Sequence, residues 1–390
     1  MKAGIIGATG YAGAELVRLL SGHPEIDSLI LSSVSFEGGK IEDVYPNFLG
    51  RISQPLVKAE AVVAAADVVF AALPHGVGEP HAKTCAERGI PFIDLSADFR
   101  FDDDETTFSA WYGKSYLHPE LREISVYGLP ELNRERIRNL AASGPVIIGN
   151  PGCYPTGASL GAFPALAKGL AETSSTIIID SASGISGGGR EPSRSFHYPE
   201  CADSVAPYKV GSHRHTPEIA RNFAAMAATA TTVAASTIAE NKIPPPAIIF
   251  TPHLAPMNRG ILSTIYIPLA AEWQIANRGS GKEPRPFEVR PPSPEMENPA
   301  EKIRAIYSDF YKDEPFVRVL PANITASTGR VRYSNYCDIS VHFDHTGTTL
   351  IVITAIDNMV KGAAGQAVQN MNVIFGFEER TGLKTIPALF

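Results

Sequence analysis

Apolar and polar positions follow two different rhythms along this chain. Near the N-terminus a short apolar run, Ala3 to Ile6, meets a glycine turn, after which Leu16, Leu19 and Leu20 recur at helical spacing. Gly22 and Pro24 stop that helix. The apolar runs "SLILSS", "ADVVFAALPHG" and "IPFIDLSADFR" follow, separated by sequence of helix or loop length. Strands spaced by helices predict a parallel sheet.

After "PVIIGN" (Pro145 to Asn150) the rhythm changes. "STIIIDSAS", "AIIFTPHLAPM", "GILSTIYIPLA" and "FVRVL" are longer β-rich stretches with fewer helices between them, which predicts a second, α+β region with a mixed or antiparallel sheet. Residues 277–299 are crowded with Pro, Gly and charge and read as a surface excursion. Ala224 to Ser236 is biased to Ala and Thr but too apolar for a disordered segment. "TLIVITAIDNMVKGAAGQAVQNMNVIFG" predicts a strand, a polar break at Asp357 and Asn358, and a helix of small residues suited to close packing. If that helix returns to the first sheet, the first domain is discontinuous. No internal repeat is visible.

Composition narrows the class. With 390 residues, two domains are expected, and 44% apolar with 19% charged residues is the balance of a folded globular protein. A net charge of -7 disfavours a nucleic-acid or anionic-membrane partner. No apolar run has the length of a bilayer span and no secretory leader opens the sequence, so a cytoplasmic location is expected. Cys85, Cys153, Cys201 and Cys337 lie far apart without Cys-x-x-Cys spacing, suggesting neither a disulfide framework nor a zinc ribbon.

Gly7, Gly10 and Gly13 follow a strand and open a helix, where backbone N–H groups and the helix dipole receive a pyrophosphate. Their spacing is G-x-x-G-x-x-G, and a tight turn that needs glycine sterically is the other reading. An NAD site tends to place Asp or Glu at the end of the second strand; here stand Ser32, Ser33, Val34 and Ser35, which favours NADP. Lys40 adds a charge there or is a solvated loop lysine. "LPHG" (Leu73 to Gly76) follows a strand where a loop would cover the nicotinamide, and His75 is either a cofactor contact or a surface residue.

"GNPGCYPT" holds the chemistry. "PVIIGN" predicts a strand, and Leu160, Phe163, Leu166 and Leu170 predict a helix with Pro155 at its first position and Cys153 at or just before the cap. A helix N-terminus favours thiolate over thiol, and Gly149 and Gly152 should clear space around the sulfur. A buried structural cysteine is the alternative, but that usually sits inside an apolar run. A nucleophilic thiol beside a nicotinamide implies acyl transfer through a thioester, which hydride then reduces. His213 and His215 precede a helix capped by Thr216, with Glu218 in its first turn to complement the dipole or orient a histidine. His-x-His also suits a metal, but no further ligands match and none is assigned.

"GATGYAGAEL", "LPHG", "DLSADFR", "YGLPELNR", "GNPGCYPT", "SGISGGGR", "HRHTPEI", "RGI" and "NMVKGAAGQAVQNMN" together resemble the N-acetyl-gamma-glutamyl-phosphate reductases, which are related in fold to aspartate-semialdehyde dehydrogenases. The resemblance spans nearly the whole chain and departs from the family pattern at 277–299 and "ENKIPPP". It implies NADPH-dependent reduction of N-acetyl-L-glutamyl 5-phosphate to the 5-semialdehyde and phosphate, in arginine biosynthesis, by a homodimer or homotetramer. The implied architecture is α/β: a Rossmann-type NADP-binding domain (1–150 and 357–390) and an α+β catalytic domain with a mixed sheet (151–356). Cys153 matches the nucleophile, His215 rather than His213 the acid/base, and Glu218 a supporting carboxylate. Arg100, Asn150 and Ser186 are implied substrate contacts. Implied cofactor contacts are Gly7, Thr9, Gly10, Tyr11, Ala12 and Gly13, then Ser32, Ser33, Leu73, Pro74 and His75, and finally Ser183, Gly184, Ser186, Gly187 and Asn358. Competing readings are reduction of another acyl phosphate, a non-enzymatic NADP-binding redox sensor and a cysteine hydrolase.

Overall fold

The computed structural model describes residues 1–234, 246–275 and 299–389. The excursion at 277–299, up to its last residue, and "ENKIPPP", except its last proline, lie outside them. Of the Ala/Thr-biased stretch, Ala224 to Ala234 continues a helix, Thr216–Ala234, and its last two residues lie outside the described ones.

Seven strands form the first sheet: β1 (Lys2–Ile6), β2 (Ser28–Ser32), β3 (Leu56–Val57), β4 (Val68–Ala71), β5 (Phe92–Asp94), β6 (Ser125–Tyr127) and β7 (Ile147–Gly149). Their order is β3-β2-β1-β4-β5-β7-β6 and every pairing is parallel. β4 is buried along its whole length, as a strand covered on both faces must be. The first helix, Tyr11–Leu20, buries Leu16, Val17, Leu19 and Leu20 against the sheet.

Seven more strands form a mixed sheet: β8 (Ile177–Ser183), β9 (Ala206–Pro207), β10 (Ile248–Leu254), β11 (Ile261–Pro268), β12 (Val317–Val319), β13 (Cys337–Phe343) and β14 (Thr349–Ile356), in the order β12-β13-β14-β11-β8-β10-β9. β11 alternates buried and half-buried residues, so one face is covered and the other open. The covered face carries the cysteine helix, Cys153–Ala167, which is buried from Tyr154 to Leu166. Glycine lets it lie close: a Cβ on Gly161 would stand 2.5 Å from Ile265 and 2.7 Å from Thr354.

The C-terminal helix, Gly365–Phe375, returns to the first sheet. Ala367, Val368 and Met371 share one core with Ala3, Ile5, Leu16 and Phe70. A π-helical turn, Val360–Ala364, leads into it, an arrangement sequence periodicity does not signal. The two sheets therefore meet at a cleft into which β7 and the cysteine helix open from one side and the polar break at Asp357 and Asn358 from the other.

Candidate active site

β7 ends at Gly149, and Cys153 is the first residue of the cysteine helix, with Gly152 as its cap. Pro155 is thus the third helical residue, not the first as the pattern suggests. The physics is the same, because the opening residues of a helix have no intrahelical acceptor for their N–H groups. The glycines differ from expectation too. A Cβ on Gly149 would lie 2.0 Å from the Phe99 carbonyl oxygen, so this glycine admits a neighbouring backbone. On Gly152 it would lie 2.5 Å from His215 Nε2, so here the cleared space receives an imidazole. On Gly362, in the π turn, it would lie 2.8 Å from the Cys153 Cβ.

Cys153 is half-buried. Burial pushes its thiol up to about 11, against the pull of Arg100 and of the Tyr154 N–H. Desolvation of the thiolate works against the helix terminus, and the resting form of Cys153 is the thiol. His215 lines the same cleft. Burial first, then His213 and Arg100, hold its imidazole well below the ordinary range, so it rests neutral and is a weaker base than a free imidazole. Its Nε2 faces Arg100 Nη1 at 3.5 Å, and its buried Nδ1 has no hydrogen-bond partner. His213 has a different part: its Nδ1 accepts the His215 backbone N–H at 3.1 Å, and its ring sits among Tyr154, Tyr208 and Phe250.

Glu218 stands behind the wall, 1% exposed. Its Oε1 accepts the Gly152 N–H at 2.8 Å and the Tyr127 hydroxyl at 2.8 Å, while Oε2 pairs with Arg100 Nη1 at 3.2 Å. It orients the cap of the cysteine helix and a guanidinium rather than a histidine directly. Arg100 also donates from Nε to the Asn150 carbonyl at 2.8 Å and from Nη2 to the Leu95 carbonyl at 3.1 Å. The guanidinium expected to take the substrate's anion is largely committed to holding the site. The Asn150 amide is likewise committed, donating to the Ala363 carbonyl at 3.1 Å and accepting from Asn370 at 3.2 Å. Lys209, in a left-handed conformation (φ 45°), and the exposed Arg214 supply further positive charge to the same cleft.

The cleft has a volume of about 1250 Å³ and joins both chemistries. Thr9, Gly10, Tyr11, Ala12, Gly13, Leu73, Pro74 and His75 line one end, and Arg100, Asn150, Cys153, His213 and His215 the other. Ser183, Gly184, Ser186, Gly187 and Asn358 lie along the same cleft. Gly7 (φ 86°) and Gly13 shape the turn from behind: a Cβ on Gly13 would lie 2.1 Å from the Gly7 carbonyl oxygen. Gly10 has no such neighbour, so its backbone borders open space, which fits the approach of a pyrophosphate. Ser32 and Ser33 are buried. The Ser32 carbonyl accepts the Gly7 and Ala8 N–H groups, and Ser33 Oγ lies 2.7 Å from Thr9 Oγ1. Ser35 and Phe36 reach the cleft instead. His75 accepts the Ala97 N–H at 3.1 Å, packs edge-on to Tyr112, and is held by burial to about 4. Asn358 accepts the Gly260 N–H and donates to Ser186 Oγ.

Residues 2–140 match the family described as semialdehyde dehydrogenase, NAD binding domain, and residues 153–278 and 292–358 match semialdehyde dehydrogenase, dimerisation domain. N-acetyl-gamma-glutamyl-phosphate reductases of Clostridium beijerinckii and Clostridium kluyveri are 45% and 42% identical over 390 residues, covering the whole of each chain. The chain belongs to the N-acetyl-gamma-glutamyl-phosphate reductase family. The reductase of Brachyspira hyodysenteriae is 42% identical over 400 aligned residues, again with full coverage of both. In fold, this family member is similar to aspartate semialdehyde dehydrogenase II of Vibrio cholerae, with a TM-score of 0.66 and 15% identity over 96% of this chain and 98% of that one. The aspartate semialdehyde dehydrogenase of Candida albicans solved with NADP has a TM-score of 0.61 and 17% identity over 96% and 98%. As a reductase of this family, the chain is an oxidoreductase that uses a nicotinamide dinucleotide.

Tyr127, Gly362 and Arg190 were not singled out by sequence. Tyr127 bonds a carboxylate 91 positions away, a pairing no local pattern carries. Gly362 belongs to the small-residue run whose close packing was expected.

Proposed function

We propose that this chain reduces N-acetyl-L-glutamyl 5-phosphate to N-acetyl-L-glutamate 5-semialdehyde and phosphate with NADPH, through a thioester on Cys153, as a step of arginine biosynthesis. The observation that carries the mechanism is a thiol at a helix mouth that shares one cleft with a neutral imidazole and a glycine turn.

His215 takes the Cys153 proton, and the sulfur attacks the acyl carbon. The tetrahedral oxyanion is stabilised by N–H groups at the start of the cysteine helix, which are already oriented. It collapses by expelling phosphate, leaving the acyl group on sulfur. The glycine turn and Asn358 would hold the dinucleotide, which when bound would supply the hydride that reduces the acyl group. The imidazolium at His215 steadies the new oxyanion, whose collapse releases aldehyde and returns the thiolate. Arg100 and Glu218 position both ends of this apparatus through Asn150, Gly152 and His215. Lys209 and Arg214 offer charge for the substrate's anionic groups.

NADP rather than NAD is favoured by the absence of a carboxylate in the sequence Ser32 to Ser35. Residues 1–150 with 357–390 form the nucleotide domain in this reading, and 151–356 the catalytic one, a division supported by the core shared between the C-terminal helix and β1. The open face of the second sheet, with Ile178 38% and Ile249 52% exposed, supports a homodimer or a homotetramer built on it. A reducing cytoplasm suits a chain whose four cysteines are all free thiols.

The test is the reverse reaction with N-acetylglutamate semialdehyde, phosphate and NADP. Phosphate-dependent NADPH formation that disappears in Cys153→Ala is expected. Formation only with another semialdehyde would refute the substrate, and NADP binding without turnover on any semialdehyde would favour a redox sensor.

A further inference from the structure

Arg190 follows three consecutive glycines on a segment that leaves β8 and crosses to the nucleotide end of the cleft. The crossing needs those glycines: Gly189 has φ 86°, and a Cβ on Gly188 would stand 2.2 Å from the Phe196 ring. Across the cleft, Arg190 Nη1 donates to the Thr9 carbonyl at 3.1 Å, within the glycine turn. Its guanidinium carbon lies 5.0 Å from the centre of the Tyr45 ring and 5.5 Å from that of Phe36. Tyr45 fixes the same carbonyl through its hydroxyl, at 2.9 Å. Aromatic faces of this kind hold a guanidinium flat and lower its ordering cost.

The charge so held is unspent. Arg190 is exposed, and among the described residues its side chain meets a carbonyl and two aromatic rings but no carboxylate. The lysines nearby in sequence to β2 are engaged, Lys40 with Glu42 and Lys58 with Glu37. Thr9 Oγ1 ties the glycine turn to Ser33 at the end of β2, so Arg190 stands where a fold of this topology reads the ribose 2′ substituent. Ser35 offers a hydroxyl to the same part of the cleft.

We propose that Arg190, carried across the cleft from the second sheet, recognises the 2′-phosphate of the dinucleotide. This rests on the NADP reading above and gives it a residue. A planar fork already bonded through one nitrogen keeps further N–H donors for phosphate oxygens. Because the arginine and the glycine turn belong to different sheets, a 2′-phosphate bridges the two halves of the cleft, whereas a 2′-hydroxyl leaves the guanidinium without an anion.

Isothermal titration with adenosine 2′,5′-bisphosphate and with 5′-AMP, on wild type, Arg190→Met and Arg190→Lys, separates the possibilities. Wild type should bind the bisphosphate at least tenfold more tightly. Arg190→Met should weaken that ligand by about 10- to 100-fold, the range of a charge-assisted hydrogen bond, and 5′-AMP by less than twofold. Arg190→Lys should recover part of the loss, and the NADPH-to-NADH ratio of kcat/KM should fall with the same rank order. Arg190→Met that keeps the preference, or that weakens both ligands equally, overturns the inference while leaving the NADP reading intact. A wild type without the preference removes the NADP reading and this inference with it.

Discussion

Replacing Glu218 by Gln tests the site's architecture, because the side chain keeps its shape and loses only charge and one acceptor. Three donors converge on this carboxylate: the Gly152 N–H and Tyr127 hydroxyl on Oε1, and Arg100 on Oε2. With the amide oxygen kept toward Gly152, its NH2 confronts the Arg100 guanidinium; flipped, it confronts the Gly152 N–H. Either orientation leaves a buried donor without an acceptor, at about 1–3 kcal/mol. Loss of the buried counter-charge to Arg100 raises the expected destabilisation to about 3–5 kcal/mol. Tyr127→Phe removes one donor to Glu218 and one acceptor of the Asn222 amide, and should cost about 1–3 kcal/mol. The thiol should respond in the opposite sense. Glu218 pushes the Cys153 thiol up and Arg100 pulls it down, so in Glu218→Gln it falls below about 11. Each unit of fall gives tenfold more thiolate and about threefold less nucleophilicity, a net gain of about threefold in alkylation rate at pH 8. Urea unfolding and iodoacetamide kinetics read the two effects: a variant that is less stable, more readily alkylated and slower in turnover. Stability within about 1 kcal/mol of wild type, or slower alkylation in the folded variant, would refute the reasoning.

Gly362→Ala places a methyl 2.8 Å from the Cys153 Cβ and should lower kcat at least tenfold while costing about 1–3 kcal/mol of stability, read by steady-state kinetics beside urea unfolding. His213→Asn should flatten the acid side of the stability profile. Burial holds His213 at about 4 when folded, against about 6.5 unfolded, so its contribution is full above pH 6.5 and declines by about 3 kcal/mol as pH falls to 4. Asp94 works in the other direction: burial and Asp98 raise it to about 7, so its folded form loses stability as pH rises from about 4 to 7, and Asp94→Asn should remove that slope in the same urea series. Gly7→Ala, with φ 86° and a Cβ 2.3 Å from the Ala72 carbonyl oxygen, should cost about 3 kcal/mol or more and lower the melting temperature by several degrees.

What sequence conveyed well was local. The glycine turn, the strand before Cys153 and the helix after it each lie within a window where periodicity and steric need speak directly. The roles of charged groups were less legible, because their meaning lies in partners far along the chain. Arg100 reads as a substrate cation until Glu218, 118 positions away, occupies it. Asn150 reads as a substrate contact until the C-terminal segment meets its amide. Ser32 and Ser33 read as phosphate donors, yet a glycine turn also needs acceptors and a tether at the end of the neighbouring strand, and these serines supply them. The thiol follows the same rule: capping position is visible in sequence, whereas the desolvation opposing it depends on the surrounding walls.

The C-terminal helix shares its core with β1, so the order of synthesis and the order of assembly cannot coincide. All strands of the first sheet have been made once β7 is complete, but the apolar surface awaiting Ala367, Val368 and Met371 stays uncovered until the last part of the chain emerges. At about 5–20 residues per second that interval is roughly 10–45 s. During it the nascent protein carries an unfinished first sheet beside a cysteine helix that the π turn, Val360–Ala364, has not yet reached. The same threading that delivers Gly362 to Cys153 therefore defers the finished surroundings of that thiol until translation is nearly over, and leaves the ribosome holding an exposed apolar wall for most of the protein's birth.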